Sequence, residues 1–169
     1  MEALEAILTR RSIRQYTDED VPEEMIKKLL ETAMSAPSAR NYQPWHFIVV
    51  SDKDILREIP KFHPYADMLK RAPLGIMICG DAQTEAYKEY IALDCSAATV
   101  NLLLAAHAMG LGAVWLGVYP VKDRMENFTN LLNIPPHIVP ISFISVGFPA
   151  ETKPRENRYD VTKIHINKW

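Results

Sequence analysis

Five residues near the N-terminus, Arg10-Arg11-Ser12-Ile13-Arg14, form the densest concentration of potential chemistry in this chain. Guanidinium groups offer charge-assisted, bidentate donors to phosphate, and a serine hydroxyl with nearby backbone N–H groups can complete an anion's oxygen shell. The same cations, placed at the end of a first helix, also complement a helix dipole, and the pentapeptide alone supports both readings. A second polar stretch, Pro37-Ser38-Ala39-Arg40-Asn41-Tyr42-Gln43-Pro44-Trp45, sets hydroxyl and amide groups beside an aromatic. That combination suits the rim of a planar ligand and equally an ordinary turn. Lys153, Arg155 and Arg158 add cations near the C-terminus, which matter only if the arm bearing them returns to the first helix.

Other sources of chemistry are poorly represented. Gly110-Leu111-Gly112 follows a helix and precedes a strand, the reverse of a dinucleotide-binding loop, and reads as a cap and turn. The histidines, at 46, 63, 107, 137 and 165, show no ligand spacing, and there is no Cys-x-x-Cys, so no metal site is expected. His107 reads as a satisfied core or interface residue. Neither a Gly-x-Ser-x-Gly elbow nor a Walker loop occurs. With no nucleophile or acid–base set in view, a borrowed cofactor is the natural source of reactivity.

The elements that must position these groups can be read from periodicity. Leu4, Ile7 and Leu8 set a short helix over 3–10. Asp20 as N-cap, Pro22 in the first turn and Glu23 three residues after the cap signal a second helix that Pro37 bounds. Strands are expected at 46–50, 74–79, 113–118 and 138–148, short helices at 52–59 and 65–71, and further helices at 84–109 and 121–132. Gly110 would be the C′ residue of the long helix. Apolar strands without alternation imply a sheet covered on both faces. Residues 163–167 alternate as a half-buried strand does, after a polar arm at 149–160 containing Pro149 and Pro154; such a strand needs an open edge, on this chain or on a second subunit.

The 169 residues fit one domain, 1–169, with 149–169 as an arm reaching a partner. With 19 Lys+Arg against 21 Asp+Glu, net charge gives no reason to expect nucleic acid or an acidic membrane as partner. Cys79 and Cys95 read as small buried hydrophobes rather than a disulfide. The opening Met-Glu-Ala-Leu-Glu lacks the pattern of a signal peptide, so a cytoplasmic location is expected. Tyr90 to Gly110 is apolar enough to suggest a membrane span, but Asp94, Asn101 and His107 favour a buried core or interface helix.

Taken together, these blocks resemble the nitroreductase family of flavoproteins almost end to end. The resemblance rests on Arg10 to Arg14 with Tyr16, on Ala36 to Phe47, on Gly110 to Gly117 and on Val146 to Glu151, followed by the basic pair before the last strand. It implies an α+β, three-layer fold: a central mixed sheet of about five strands flanked by helices, with the C-terminal strand exchanged between subunits of a homodimer. It also implies tightly but non-covalently bound FMN at the subunit interface, with NAD(P)H as electron donor.

By that resemblance Arg10 and Ser12, with Arg11 beside them, contact the phosphate, joined by Arg155 or Arg158 and less readily by Lys153. Arg14 lies at the N1/O2 side of the flavin, where a fixed positive charge favours the anionic reduced ring. Pro37, Ser38, Ala39 and Asn41 come from the other subunit, and Trp115, Leu116 and Gly117 face the ring with a backbone N–H near N5. No side chain is assigned as catalytic. The implied reaction is ping-pong hydride transfer from NAD(P)H through flavin N5 to a nitroaromatic, quinone or enone. Alternatives on the same fold are dehalogenation, flavin fragmentation, or flavin binding and storage without turnover. The chain departs from longer relatives in having Leu116 where they carry an acidic residue. Near 63–67 it shows no equivalent of their Asn and Lys at the pyrimidine edge, so weaker binding is expected there.

Overall fold

The computed structural model describes residues 1–84 and 88–169. The chain runs α1 (Ala3–Thr9), α2 (Glu23–Met34), β1 (Trp45–Val50), α3 (Lys53–Glu58), β2 (Leu74–Asp81), α4 (Lys88–Ala108), β3 (Gly112–Gly117), α5 (Lys122–Leu132) and β4 (Ile138–Gly147). Short 3₁₀ turns at Ile59–Lys61 and Asp67–Lys70 link α3 to β2. The part of the expected long helix at 85–87 lies outside the described residues.

The sheet has four strands in the order β1-β2-β4-β3, and every neighbouring pair is antiparallel. This corrects the expectation of a mixed, five-stranded sheet. The crossover through α4 does run β2 and β3 in the same direction, but β4 inserts between them and is antiparallel to both. The continuous apolar runs therefore report two covered faces, not parallel pairing. At Pro140, which has no N–H to give, the β2–β4 register slips between Ile78 and Cys79.

The expected C-terminal strand is likewise absent from the chain. Val161–Lys163 forms a 3₁₀ turn capped by Asp160, whose carboxylate accepts from the Thr162 N–H at 3.0 Å, and Ile164 to Trp169 stay exposed. The alternation at 163–167 is real, but no strand of the chain's own sheet lies beside it.

Alternate side chains divide the sheet into the middle of three layers. Leu74, Ile76 and Ile78 of β2, with Ile144 and Val146 of β4, pack under α2 and α4. Met77, Cys79 and Phe143 face the other way, against α3, α5 and the 3₁₀ turns, where Phe128 stacks on Phe143 at 5.2 Å between centroids. Helix α4 meets the length and apolarity of a membrane span. It is nonetheless seated on the sheet, with Ile91, Cys95, Ala98, Leu102 and Ala106 buried.

The α4 terminus is a Schellman motif: Gly110 at φ +81° donates to the His107 carbonyl at 3.1 Å, and Leu111 to that of Ala106 at 2.8 Å. Pro22, not Asp20, occupies the N-cap of α2, and no side chain caps that end. Asp20 instead lies 3.7 Å from Lys53. The two thiols are buried and unlinked, and burial pushes both up to about 12.

Candidate functional site

Helix α1 stops at Thr9, and the chain leaves Arg10 extended. It then runs along the edge of β3, where Ile13 N–H donates to the Ala113 carbonyl at 3.1 Å and Ser12 pairs with Ala113 in a parallel bridge. Gly112 permits this approach, since a Cβ there would stand 2.6 Å from Ile13 Cγ2. The other side of the segment is tied to the start of the C-terminal arm. Thr17 N–H donates to Phe148 at 2.9 Å, Ala150 N–H donates to Gln15 at 2.9 Å, and the Glu151 carboxylate accepts from Arg14 N–H at 2.6 Å. That backbone bond, reinforced by Lys153 and Gln15 N–H, holds the Glu151 carboxyl below its ordinary range. Buried Tyr16 pins the segment from beneath, donating to the Ile13 carbonyl at 2.8 Å.

These ties bring the distant cations together. Arg10, Arg11, Arg155 and Arg158 line one cavity of about 210 Å³ at the α1 end. Among the described residues Glu156 is its only carboxylate: it takes Arg11 at 2.6 Å and Arg158 at 2.8 Å, and Arg11 also donates to the Pro154 carbonyl. Arg10 and Arg155 make no ion pair among the described residues. Burial, then the charges of Arg158 and Arg11, hold the Arg10 guanidinium below its ordinary pKa. An excess of partly dehydrated cations over carboxylates is a seat for an anion.

Lys153 is placed elsewhere. It donates to the Ser12 carbonyl at 2.7 Å and lies 3.3 Å from Glu151, lining a neighbouring cavity with Arg11 and His107. His107 is satisfied by the Thr9 hydroxyl at 2.8 Å.

Arg14 opens onto a different and larger cavity, about 800 Å³, shared with Tyr65, Asp67, Lys70 and Arg71. Lys70, ion-paired with Asp67 one 3₁₀ turn away, supplies a polar group at this edge three residues beyond the 63–67 stretch. The signal was the i, i+3 spacing of Asp67 and Lys70.

The remaining candidates line neither cavity in the single chain. Around Pro37 and Ser38 the loop turns tightly, with Arg40, Asn41 and Gln43 at φ +51°, +58° and +51°. Ser38 Oγ accepts from Gln43 N–H at 2.9 Å, and buried Asp94 of α4 accepts from Ala39 N–H at 3.0 Å. Asp94, legible in the sequence only as a residue that argues against a membrane span, is thus the anchor of this loop. On β3, Trp115 is half-buried on the α4 side of the sheet, and the Leu116 side chain is buried on the opposite side. The Gly117 carbonyl takes two donors, His63 Nε2 at 3.0 Å and Arg124 Nη1 at 2.9 Å.

The family model described as the nitroreductase family matches residues 7–63 and 60–148. The chain belongs to that family. This nitroreductase-family chain is 50% identical, over 100% of its own length and 88% of the relative's, to a Methanothermobacter thermautotrophicus protein with the provisional name NADH dehydrogenase/NAD(P)H nitroreductase. An FMN-dependent nitroreductase from Clostridium difficile superposes with a TM-score of 0.91 at 31% identity, covering 98% of this chain and 99% of the other. A provisionally named nitroreductase from Desulfovibrio desulfuricans, solved in complex with FMN, gives 0.86 at 31% identity, with 99% and 97% covered.

Proposed function

We propose that this chain is a cytoplasmic, FMN-dependent oxidoreductase that takes electrons from NAD(P)H and passes them to electron-poor acceptors such as quinones, nitroaromatics or enones. The observation that carries the reading is the Arg10 cluster, assembled from both ends of the chain with more cations than carboxylates, while Arg14, four residues on, lines a second and larger cavity. The fit to FMN is chemical: a site for a phosphate, followed by a cavity with aromatic and cationic walls. Bound FMN would supply a two-electron relay between donor and acceptor.

The chain's own residues hold and surround that group. Arg10, Arg155 and Arg158, with Arg11 and Ser12 beside them, bind the phosphate; Arg14 places a fixed cation toward the ring. Lys153 works from behind, through the Ser12 carbonyl and Glu151. Trp115, Leu116 and Gly117 contribute the edge of β3.

Pro37, Ser38, Ala39 and Asn41 would complete the site from a second subunit of a homodimer. Supporting this, the chain exposes 10145 Å², against about 8,400 Å² for a monomer of this length. Much of the surplus is apolar: Leu4, Ile7 and Leu8 on α1, Leu93 and Val100 on α4, and Ile164, Ile166 and Trp169 on the arm. An excess of this size is what each partner of an ordinary obligate interface buries. The arm at 149–169 is the segment we expect to dock on the partner.

Titrating the purified protein with FMN tests the reading. One FMN per chain should quench the flavin's fluorescence, and the loaded protein should oxidise NADH or NADPH with menadione as acceptor. Absence of FMN uptake refutes it.

A further inference from the structure

The double donation to the Gly117 carbonyl is not explained by anchoring β3 alone. Among the described residues Arg124 has no carboxylate partner; its guanidinium is spent on a neutral carbonyl and on the face of Tyr65, 5.8 Å from the ring centroid. His63 is buried, and its ring is fully used. Nδ1 accepts from the Tyr65 N–H at 3.3 Å, so Nε2 carries the proton that it donates to Gly117.

Three contacts thus converge on Tyr65: its backbone on His63, its ring edge against the same imidazole at 6.3 Å, and its face under Arg124. Yet the residue is 70% exposed and forms part of the wall of the 800 Å³ cavity that begins at Arg14. An aromatic ring held still while left open to solvent is a preorganised stacking surface; packing alone would have buried it.

We propose that His63 and Arg124 are positioning residues that, through the Gly117 carbonyl, lock Tyr65 as the wall against which a flat aromatic acceptor stacks. The proposal rests on the flavin-oxidoreductase reading above, and it concerns which residues hold the stacking wall in place. Among the described residues this cavity is lined by three cations, Arg14, Lys70 and Arg71, against one carboxylate, Asp67, and that balance favours acceptors that develop negative charge on reduction.

The lock has a built-in pH limit. Among the described residues the groups that face His63 are the Gly117 carbonyl, the Tyr65 N–H and ring, the Phe128 ring and the Arg124 guanidinium, with no carboxylate to welcome a second proton. A doubly protonated imidazole cannot accept from Tyr65. Burial first, and Arg124 also, keep that proton off until the pH is below the ordinary histidine range, the Gly117 bond opposing them.

The test uses the FMN-loaded protein with menadione as acceptor, together with amide hydrogen exchange of residues 63–71 in protein free of FMN. Loss of one aromatic stack predicts that Tyr65→Leu raises the menadione KM about tenfold, with a smaller change in kcat. Arg124→Met should raise KM in the same direction and speed exchange across 63–71, and Arg124→Lys, which keeps a donor, should restore most of both. In the wild type KM should climb as pH drops below the histidine range, and in His63→Gln it should stay flat. A Tyr65→Leu KM within twofold of wild type, or unchanged exchange in Arg124→Met, overturns the proposal even if the protein binds FMN and turns over. A wild type that takes up no FMN overturns the flavin reading and the acceptor role with it, while the exchange data still report whether the lock exists.

Discussion

Replacing Arg10 by alanine separates an anion site from a helix end. In the folded chain this guanidinium has no ion-pair partner among the described residues, and it is pressed by burial and by the charges of Arg158 and Arg11. Its removal therefore takes away repulsion and no internal hydrogen bond, so the FMN-free protein should melt at the same temperature or slightly higher. With FMN, a charge-assisted bond to phosphate is lost, worth about 2 kcal/mol, and affinity should fall about thirtyfold. If Arg10 merely complemented the dipole of α1, alanine would instead lower stability by about 0.3–1 kcal/mol, a drop in Tm of up to about 4 °C, at unchanged affinity. Fluorescence titration with FMN and thermal melts with and without FMN distinguish the two. Unchanged FMN affinity with a lowered FMN-free Tm refutes the reasoning.

Gly112→Ala should drive Ile13 away from β3, since the new methyl would meet Ile13 Cγ2 at 2.6 Å; FMN titration should show weakened binding alongside a lower Tm. Glu151 is held below its ordinary pKa mainly by the Arg14 N–H, so its contribution is present above the carboxylate range and is lost as pH falls through the lowered value. Melts of Glu151→Gln should lie below the wild type at pH 7, and the gap should close as pH falls below the ordinary carboxylate range. Gly75→Ala would push a methyl into Phe143 and to 2.9 Å from Leu56 Cδ2, an overpacking cost of about 1–3 kcal/mol readable by urea denaturation. Asp94→Ala should strip the Ala39 N–H of its acceptor, costing about 1–3 kcal/mol of stability and loosening the 37–43 loop, with hydrogen exchange reporting the second effect.

Local patterns carried much of this fold. The apolar periods located all four strands and the helices α2, α4 and α5 to within a few residues, and Gly110 was legible as a cap because a positive φ there favours glycine. Strand order was not legible: the insertion of β4 between β2 and β3 is a non-local pairing that no single window contains. The tail is legible only in part for a related reason, since alternation at 163–167 shows which side would be apolar and not which strand, on this chain or a partner, would pair with it.

The site divided along the same line. Arg10, Arg11, Arg155 and Arg158 were visible as cations, and their convergence comes from the pairing of residues 15–17 with 148–150. The roles of Lys70, Asp94, His63 and Arg124 are not legible in the sequence, because they depend on partners given by tertiary structure or on a 3₁₀ turn. His63 reaches its carbonyl across 54 positions, and Asp94 reaches Ala39 across 55. For Leu116 the sequence shows a position on β3 and not the face it takes: strand alternation buries its side chain on the side away from α4.

The most direct test is the visible spectrum of the purified protein loaded with FMN, followed anaerobically after addition of NADH or NADPH. The account predicts a bound flavin absorption band that bleaches within minutes and returns when menadione is added. A chain that retains no flavin, or a bound band that neither cofactor bleaches, would contradict it.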